Sequence, residues 1–178
     1  TIQADGDTLK IKNLGVDTLQ IAGNAVTIPR SDTSASDVYL SDGVWTTIND
    51  IVFSPASVGG QAQPVSVKAY LSFSVYDSAN VASFGTLYVR IRNNNQVVMD
   101  AMEVSQLILY PVYAGASGTI NVPFGALSGS TSPIYLDIST STVQRTYEVQ
   151  AMWSQAVSGG SGFTIPAGAV LECTEVKR

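Results

Sequence analysis

The amino-acid sequence predicts an all-β protein, in which a short fibrous β segment is followed by an antiparallel β-sandwich of jelly-roll type. Three observations lead to this prediction. No stretch of about ten residues or more has the apolar spacing of three and four positions that an amphipathic helix needs. Several segments instead alternate apolar and polar residues, as half-buried strands do. The stretches between them are rich in glycine, serine and proline, which is typical of tight turns.

Length and composition fit one domain with a substantial core. The chain has 178 residues, of which 45% are apolar and 13% charged. With 9 basic and 14 acidic residues its formal net charge is −5. An acidic chain without a basic run is poorly suited to nucleic acid or to an anionic membrane surface. No apolar run approaches the roughly 20 residues that span a bilayer. We therefore expect no nucleic-acid binding and no membrane insertion by this segment, which begins with Thr1 and reads as part of a longer protein.

The first element is a five-residue repeat near the N-terminus. In residues 9–23, LKIKN LGVDT LQIAG, each block begins with leucine and has isoleucine or valine two places later. A step of five moves each apolar pair to the opposite face of a strand, so one isolated segment cannot bury them all. Three copies wound about a common axis would bury both faces and close the strand edges. The residues expected at this trimer axis are Leu9, Ile11, Leu14, Val16, Leu19 and Ile21.

The sequence changes character after this repeat. Residues 1–30 contain no aromatic side chain, and the following PRSDTSASD combines a strand-stopping proline with polar residues that need no core. We predict a fibrous β stalk over residues 1–30, a hinge over 31–37 and a sandwich domain over 38–178. The alternative stays open that the repeat is a coincidence within ordinary strands and turns.

The strands of the sandwich are predicted in order along the chain. The segments with strand patterning are VWTTINDIVF, PVSVKAYLSFSVY, GTLYVRIRNNNQVVMDAM, PIYLDIST, RTYEVQAMW and GAVLECTEV. In the second, the odd-numbered residues from Val65 to Val75 form one face, which we expect to lie inside. Asn93–Asn95 supply a hairpin turn, because asparagine tolerates positive φ. PIYLDIST alternates through Ile134, Leu136 and Ile138.

Two further strands divide into an apolar and a polar face in the same way. Their apolar faces are Leu87, Val89 and Ile91 in the first, and Tyr147, Val149, Ala151 and Trp153 in the second. About seven or eight strands of this kind, separated by short turns, favour a jelly-roll sandwich.

Residue types that carry catalysis are sparse. The chain has no histidine, which excludes a Ser-His-Asp triad, a Cys-His pair and a His-ligated zinc site within it. The carboxylates are scattered rather than paired as in glycoside hydrolases. ADGD at residues 4–7 lacks the other ligands of a calcium loop and favours a turn. The single cysteine, Cys173, is expected as a buried or half-buried strand residue. We predict no catalytic residues, no metal and no cofactor.

Residues 16–29, VDTLQIAGNAVTIP, resemble a segment of the tail-tip host-specificity proteins and central tail fibres of long-tailed bacteriophages. The resemblance rests on the unbroken order from Leu19 to Val26, and it does not extend beyond this segment. In those proteins the segment follows the tail-tip body and precedes a variable receptor-binding region. The resemblance implies a homotrimeric fibre at the distal, extracellular end of the virion's tail, attached to the rest of the tail tip. It supplies no catalytic residues.

The expected function is therefore non-enzymatic receptor binding, in which the C-terminal part contacts a protein or glycan on the host surface during adsorption. Two alternatives remain: a purely structural component of the tail or fibre, and a carbohydrate-binding jelly-roll module of a bacterial surface protein. Tyr70, Tyr76 and Tyr88 fall on the polar phases of their strands. Exposed tyrosines would suit contact with a sugar or with a protein loop. The alternative is that these tyrosines pack between sheets or between trimer subunits.

The receptor-contacting loops are predicted from the alternation of antiparallel connections. If the sandwich stands on its stalk, the 54–63 loop and the Asn93–Asn95 turn lie at the distal end, and the 77–85 loop lies at the base. The 113–119 loop is also distal if one strand lies between it and Glu103. The candidate receptor-binding residues are Gln61, Gln63, Asn94 and Tyr113.

Overall fold

The computed structural model describes residues 2–5, 8–11, 29–76, 83–113, 119–123, 128–157 and 162–176. These residues form strands, turns and connecting segments without a helix, so no helix among them could cross a membrane. The strands are β1 (Ile2–Asp5), β2 (Thr8–Ile11), β3 (Arg30–Thr33), β4 (Val38–Tyr39), β5 (Thr46–Phe53), β6 (Ser57–Val58), β7 (Gln61–Ala62), β8 (Val65–Tyr76), β9 (Ser83–Asn93), β10 (Gln96–Tyr113), β11 (Thr119–Pro123), β12 (Ser128–Thr131), β13 (Ile134–Asp137), β14 (Arg145–Val157), β15 (Gly162–Ile165) and β16 (Val170–Glu175).

Two antiparallel sheets form a sandwich. The first has five strands in the order β11-β10-β9-β14-β5. The second has seven strands in the order β3-β16-β8-β15-β4, with β12 and β13 also paired to β8. Residues 74–76 of β8 pair with β15 and residues 65–70 with β16, so these two short strands follow one another along one edge of β8. Strands β12 and β13 do the same along the other edge.

The second sheet therefore has four strand positions. The continuous strand β8 fills one, and each of the other three is filled by two short strands placed end to end: β3 with β4, β16 with β15, and β13 with β12. The first sheet supplies β5, β14, β9 and β10 opposite them. The chain passes between the two sheets in the order that generates the paired Greek keys of a jelly roll. The fold class predicted from the sequence, an antiparallel jelly-roll-like sandwich, is confirmed.

The core lies between the inner faces of the two sheets. The β8 face predicted to lie inside is buried from Val65 to Phe73, whereas Tyr70 and Ser72 on the opposite phase are exposed. The apolar faces predicted for β9 and β14 are buried as well; they are Leu87, Val89, Ile91, Tyr147, Val149, Ala151 and Trp153. Alternation along these strands predicted the core correctly, because each strand has one face on the core and one towards solvent.

The predicted hinge over residues 31–37 is wrong. Arg30–Thr33 form β3, which pairs with residues 170–173 of β16. Beyond it, the backbone N–H of Ser34 donates to the carbonyl oxygen of Ala169 at 2.8 Å, and the Asp37 carboxylate accepts from the backbone N–H of Ala167 at 2.8 Å. All four side chains of β3 are exposed, so this strand is held by its backbone and shows no apolar alternation. The sandwich begins at Arg30 rather than at residue 38.

The N-terminal residues that the structure describes form a two-stranded hairpin. Strand β1 pairs with β2 in antiparallel register, from Ile2 opposite Ile11 to Asp5 opposite Thr8. This register fits the turn predicted for ADGD, although the two residues between Asp5 and Thr8 lie outside the described residues. Of the predicted trimer-axis residues, Leu9 and Ile11 lie in β2. The other four, Leu14, Val16, Leu19 and Ile21, lie outside the described residues.

Candidate functional site

Three connections converge at one end of the sandwich: residues 54–64, the Asn94–Asn95 turn and residues 138–144. We call this surface the loop end. The backbone N–H of Ala62 donates to the carbonyl oxygen of Thr140 at 2.9 Å. The Gln144 side-chain amide donates to the Ser54 hydroxyl at 3.3 Å. These bonds join connections that are far apart in sequence into one surface.

A buried ion pair anchors the loop end from below. The Asp137 Oδ2 atom accepts hydrogen bonds from Arg145 Nη1 at 2.8 Å, from the Tyr147 hydroxyl at 2.6 Å and from Asn93 Nδ2 at 3.1 Å. Its other oxygen accepts from the backbone N–H of Ser139 at 2.9 Å. Both carboxylate oxygens are thus occupied, and the 138–144 connection is fixed to three strands of the core. Asp137 thus anchors this connection to the core.

The same network continues into the connection itself. Arg145 Nη2 donates to the carbonyl oxygen of Ser139 at 3.1 Å and also to that of Ser141. Burial and the bond to Asp137 raise the pKa of Tyr147 above its usual range. A buried network of charge-assisted hydrogen bonds of this kind gives a loop a defined backbone course.

Three of the four predicted receptor-binding residues lie at the loop end. Gln61 is exposed in the β6–β7 hairpin and Gln63 is half-buried. Asn94 is exposed with a φ of 46°, and its side-chain oxygen accepts from the backbone N–H of Thr146 at 2.8 Å. Asn94 therefore braces the turn with its Oδ1 atom.

The predicted grouping of Tyr113 with these residues is wrong. Strand β10 starts beside the Asn94–Asn95 turn and runs through 18 residues to Tyr113 without a reversal. An uninterrupted strand ends on the side opposite to where it began, so Tyr113 lies at the other end of the sandwich. The side chain of Tyr113 lies outside the described residues.

The exposed part of the loop end is uncharged. Residues 138–144, ISTSTVQ, are all exposed, and Ile138 and Val143 expose 67% and 68% of their surface. Sequence reasoning did not assign this connection to the site. The available signal was the alternation of Ile134, Leu136 and Ile138, which places Ile138 in one row with the other two, on the same face of the strand.

That row faces outwards along β13. Ile134 and Leu136 are 59% and 52% exposed, whereas Tyr135 is half-buried and Asp137 is buried. The ion pair with Arg145 sets this phase, because it requires Asp137 to point inwards, and alternation then turns its neighbours towards solvent. The apolar residues of PIYLDIST therefore form a surface rather than core.

A second organised surface is the outer face of the five-stranded sheet. The guanidinium carbon of Arg90 on β9 lies 4.0 Å from the ring centre of Trp45, which precedes β5. Arg90 Nε donates to Gln150 Oε1 on β14 at 2.9 Å, and Gln150 Nε2 donates to the Thr47 hydroxyl on β5 at 3.1 Å. Tyr88 lies on the same face and is half-buried. We call this cluster the Trp45–Arg90 platform.

An ion pair borders the platform. Arg92 Nη1 lies 3.0 Å from Glu148 Oε2, and Arg92 Nη2 donates to the carbonyl oxygen of Asn95 at 2.6 Å. Arg92 thereby connects the platform to the Asn94–Asn95 turn. The sequence showed Tyr88 on a polar phase but not the platform, because the adjacency of β5, β14 and β9 cannot be read from local patterning.

Within the described parts of the chain, no group of three or more Cys, Asp or Glu residues is placed so that it could hold a metal ion. Cys173 is fully buried in β16, as the sequence predicted. Burial and the neighbouring Glu172 carboxylate raise the pKa of its thiol to about 12.

Comparisons with known proteins yield distant structural similarity alone. No family model matches the chain, and no curated protein matches it. A chain in the structure of infectious bursal disease virus Gx strain aligns with a TM-score of 0.41 and 14% identity, over 93% of this chain and 36% of that chain. The crystal structure of the infectious bursal disease virus VP2 subviral particle aligns with a TM-score of 0.37 and 15% identity, over 93% of this chain and 37% of that chain. This chain thus spans little more than a third of either, and similarity at this level carries no information on function.

Proposed function

We propose that this chain is the non-enzymatic receptor-binding tip of a bacteriophage tail fibre, placed at the distal, extracellular end of the virion's tail and joined there to the rest of the tail tip. The link to phage tails comes from the resemblance of residues 16–29 to tail-tip host-specificity proteins. The observation that carries the binding role is the loop end, where three connections form one exposed, uncharged surface on a buried anchor.

The construction of the loop end suits a recognition surface. Buried groups, chiefly Asp137 and Arg145, fix the backbone of the 138–144 connection, so its exposed apolar side chains, Ile138 and Val143, are free to vary without loss of the fold. Loops held by a rigid scaffold are where proteins commonly place binding residues. A backbone that is already ordered also loses less conformational entropy when it binds.

We further propose that the chain acts as a homotrimer through its N-terminal repeat. Three copies of one loop end would face the cell together. Once one site is engaged, the other two act at a high effective concentration, so weak single sites give strong overall attachment.

Competition for adsorption tests the proposal. The purified chain should block adsorption of the phage that encodes it, at concentrations at which an unrelated sandwich protein does not. Gln61→Trp and Thr140→Trp place bulky side chains on the loop end and should abolish blocking.

Ser41→Trp is the matched control, because Ser41 is exposed in the connection next to Trp153, at the opposite end of the sandwich. It should block like the wild type. A chain that never blocks adsorption would favour the purely structural alternative. A chain that blocks equally well with both loop-end variants would place the contact elsewhere.

A further inference from the structure

We propose that the Trp45–Arg90 platform is a second binding site, which takes a sugar unit bearing a carboxylate. Arg90 would bind the carboxylate, and Tyr88 would contact the apolar face of the pyranose ring. This site is distinct from the loop end, so it does not depend on the proposed role in phage adsorption.

The state of Arg90 is the first argument. Its two contacts, with the Trp45 ring and with the Gln150 side-chain amide, are both to uncharged groups. The ion pairs among the described residues are Arg92 with Glu148 and Arg145 with Asp137, and Arg90 belongs to neither. A guanidinium stacked on an aromatic ring keeps its edge donors free for a planar anion.

The charge balance around Arg90 points to an anionic ligand. Burial and the nearby charge of Arg92 lower the pKa of Arg90, and the Glu148 carboxylate acts in the opposite direction. The cation is therefore under-compensated in its own fold. A ligand carboxylate would supply the missing partner through charge-assisted hydrogen bonds.

The platform is already organised for binding. Gln150 is 5% exposed and is held from both sides, accepting from Arg90 at 2.9 Å and donating to Thr47 at 3.1 Å. These bonds cross three adjacent strands, so Arg90 is fixed before a ligand arrives. Little ordering entropy is then lost on binding.

The aromatic part of the site gives a reason to expect a sugar rather than a bare carboxylate. Tyr88 precedes Arg90 by two residues on the same face, which places the two about 7 Å apart along the strand. Tyrosine presents an apolar ring face with a polar hydroxyl tip, which matches the mixed surface of a pyranose. Charge at one position and a ring at the next fit a uronic-acid-like unit.

Ligand-observed NMR titration of the full chain with methyl β-D-glucuronide and methyl β-D-glucoside tests the proposal. The two probes differ in a carboxylate against a hydroxymethyl group. The glucuronide should bind about tenfold more tightly, as expected for one charge-assisted contact. Arg90→Gln should remove this preference, and Tyr88→Ala should weaken binding of both sugars.

Tyr70→Ala is the matched control, because Tyr70 is an exposed tyrosine on the outer face of the other sheet. It should leave both affinities unchanged, with thermal unfolding of every variant measured alongside. Equal binding of the two sugars, or a glucuronide preference that survives in Arg90→Gln, would overturn the proposal. Binding of an Asp-containing peptide with no binding of the glucuronide would overturn it in favour of a protein ligand.

The two proposals fail separately. Gln61→Trp lies at the loop end and should bind the glucuronide like the wild type. A platform that binds no sugar leaves the adsorption experiment as it stands. Loss of sugar binding in Gln61→Trp would contradict the independence of the two sites.

Discussion

At Gly85 the chain has no room for a side chain, because the indole ring of Trp153 lies where a β-carbon would point. The backbone oxygen of Ser154 would be only 2.6 Å from that carbon. The indole is itself held by an edge contact with Phe163, with ring centres 5.0 Å apart. Glycine is required here for close approach rather than for an unusual backbone angle.

Gly85→Ala should therefore destabilise the sandwich by about 1–3 kcal/mol, the usual range for overpacking a well-filled core. Urea unfolding followed by fluorescence measures the loss. Trp153→Phe makes room for the added methyl group. The double variant should therefore lose less stability than the sum of the losses in the two single variants. Strict additivity would show that the indole is not the obstacle.

The Cys173 thiol has a different pKa in the folded state than in the unfolded state, so the stability of the chain depends on pH. The thiol is fully buried, and its pKa is raised to about 12 from an ordinary value of 9.0 by burial and by the Glu172 carboxylate. The folded state therefore binds the proton more tightly than the unfolded state. The stability that this provides is complete below about pH 9 and is lost as the pH rises through the folded value.

The free energy of unfolding should fall between pH 9.5 and pH 11, with Cys173 contributing about 1.4 kcal/mol per pH unit for its one proton. Tyr147 adds to the fall at the upper end, because its pKa is also raised by burial. Urea titrations of wild type and Cys173→Ala at several pH values measure this. The free energy of unfolding should fall less steeply with pH in Cys173→Ala, by the contribution of one proton. Identical slopes in the two proteins would contradict a protonated buried thiol.

Strand β13 shows how a polar contact can set the phase of a strand against its hydrophobicity. Ile134 and Leu136 face solvent, although they are its most apolar residues. The inward positions belong to Tyr135 and Asp137, and the latter must reach Arg145 at 2.8 Å. A buried carboxylate without its partner would cost far more than two exposed aliphatic side chains.

Paired substitutions test this phase. Leu136→Asp should change the free energy of unfolding by no more than about 0.5 kcal/mol, as is usual for an exposed position. Val67→Asp, on the neighbouring strand β8, places an unpaired charge in the core and should prevent folding. Circular dichroism melts at two protein concentrations measure both. A concentration-dependent loss at Leu136 would instead show that another subunit covers the row.

The same reasoning explains which elements could be predicted from the sequence. The inner face of strand β8 was predicted correctly, because the burial of its apolar side chains alone determines which face points inwards. Strand β3 was missed, because its side chains are all exposed and its backbone alone joins the sheet. Tyr113 was misplaced, because local patterning did not show that β10 is one continuous strand.

On the scale of the whole molecule, the candidate sites depend on strand order. The sequence correctly predicted that Gln61 and Asn94 lie at one end of the sandwich, because successive antiparallel connections alternate between its two ends. It did not reveal that Trp45, Arg90 and Gln150 meet across three strands. Contacts between strands far apart in sequence arise from the Greek-key path of the chain, which leaves no periodic mark in the residues.

We propose that assembly of the whole molecule depends on the N-terminal repeat, because its alternating apolar pairs are expected to need other copies of the chain to bury them. Leu14→Asp combined with Leu19→Asp would force several charges into one narrow axis of a trimer, where an unpaired charge is strongly disfavoured. We expect trimers for the wild type and monomers for this variant in multi-angle light scattering at micromolar concentration.

Thr18→Asp combined with Gln20→Asp is the matched control for assembly, since it adds the same charge at the polar positions of the same repeat and should leave the trimer intact. The sandwich is a separate source of stability, with its own core from Leu40 to Cys173. It should unfold at nearly the same temperature in both double variants. A monomeric wild type would contradict the trimer, and loss of assembly in both variants would show that charge alone, rather than burial of the leucines, disrupts it.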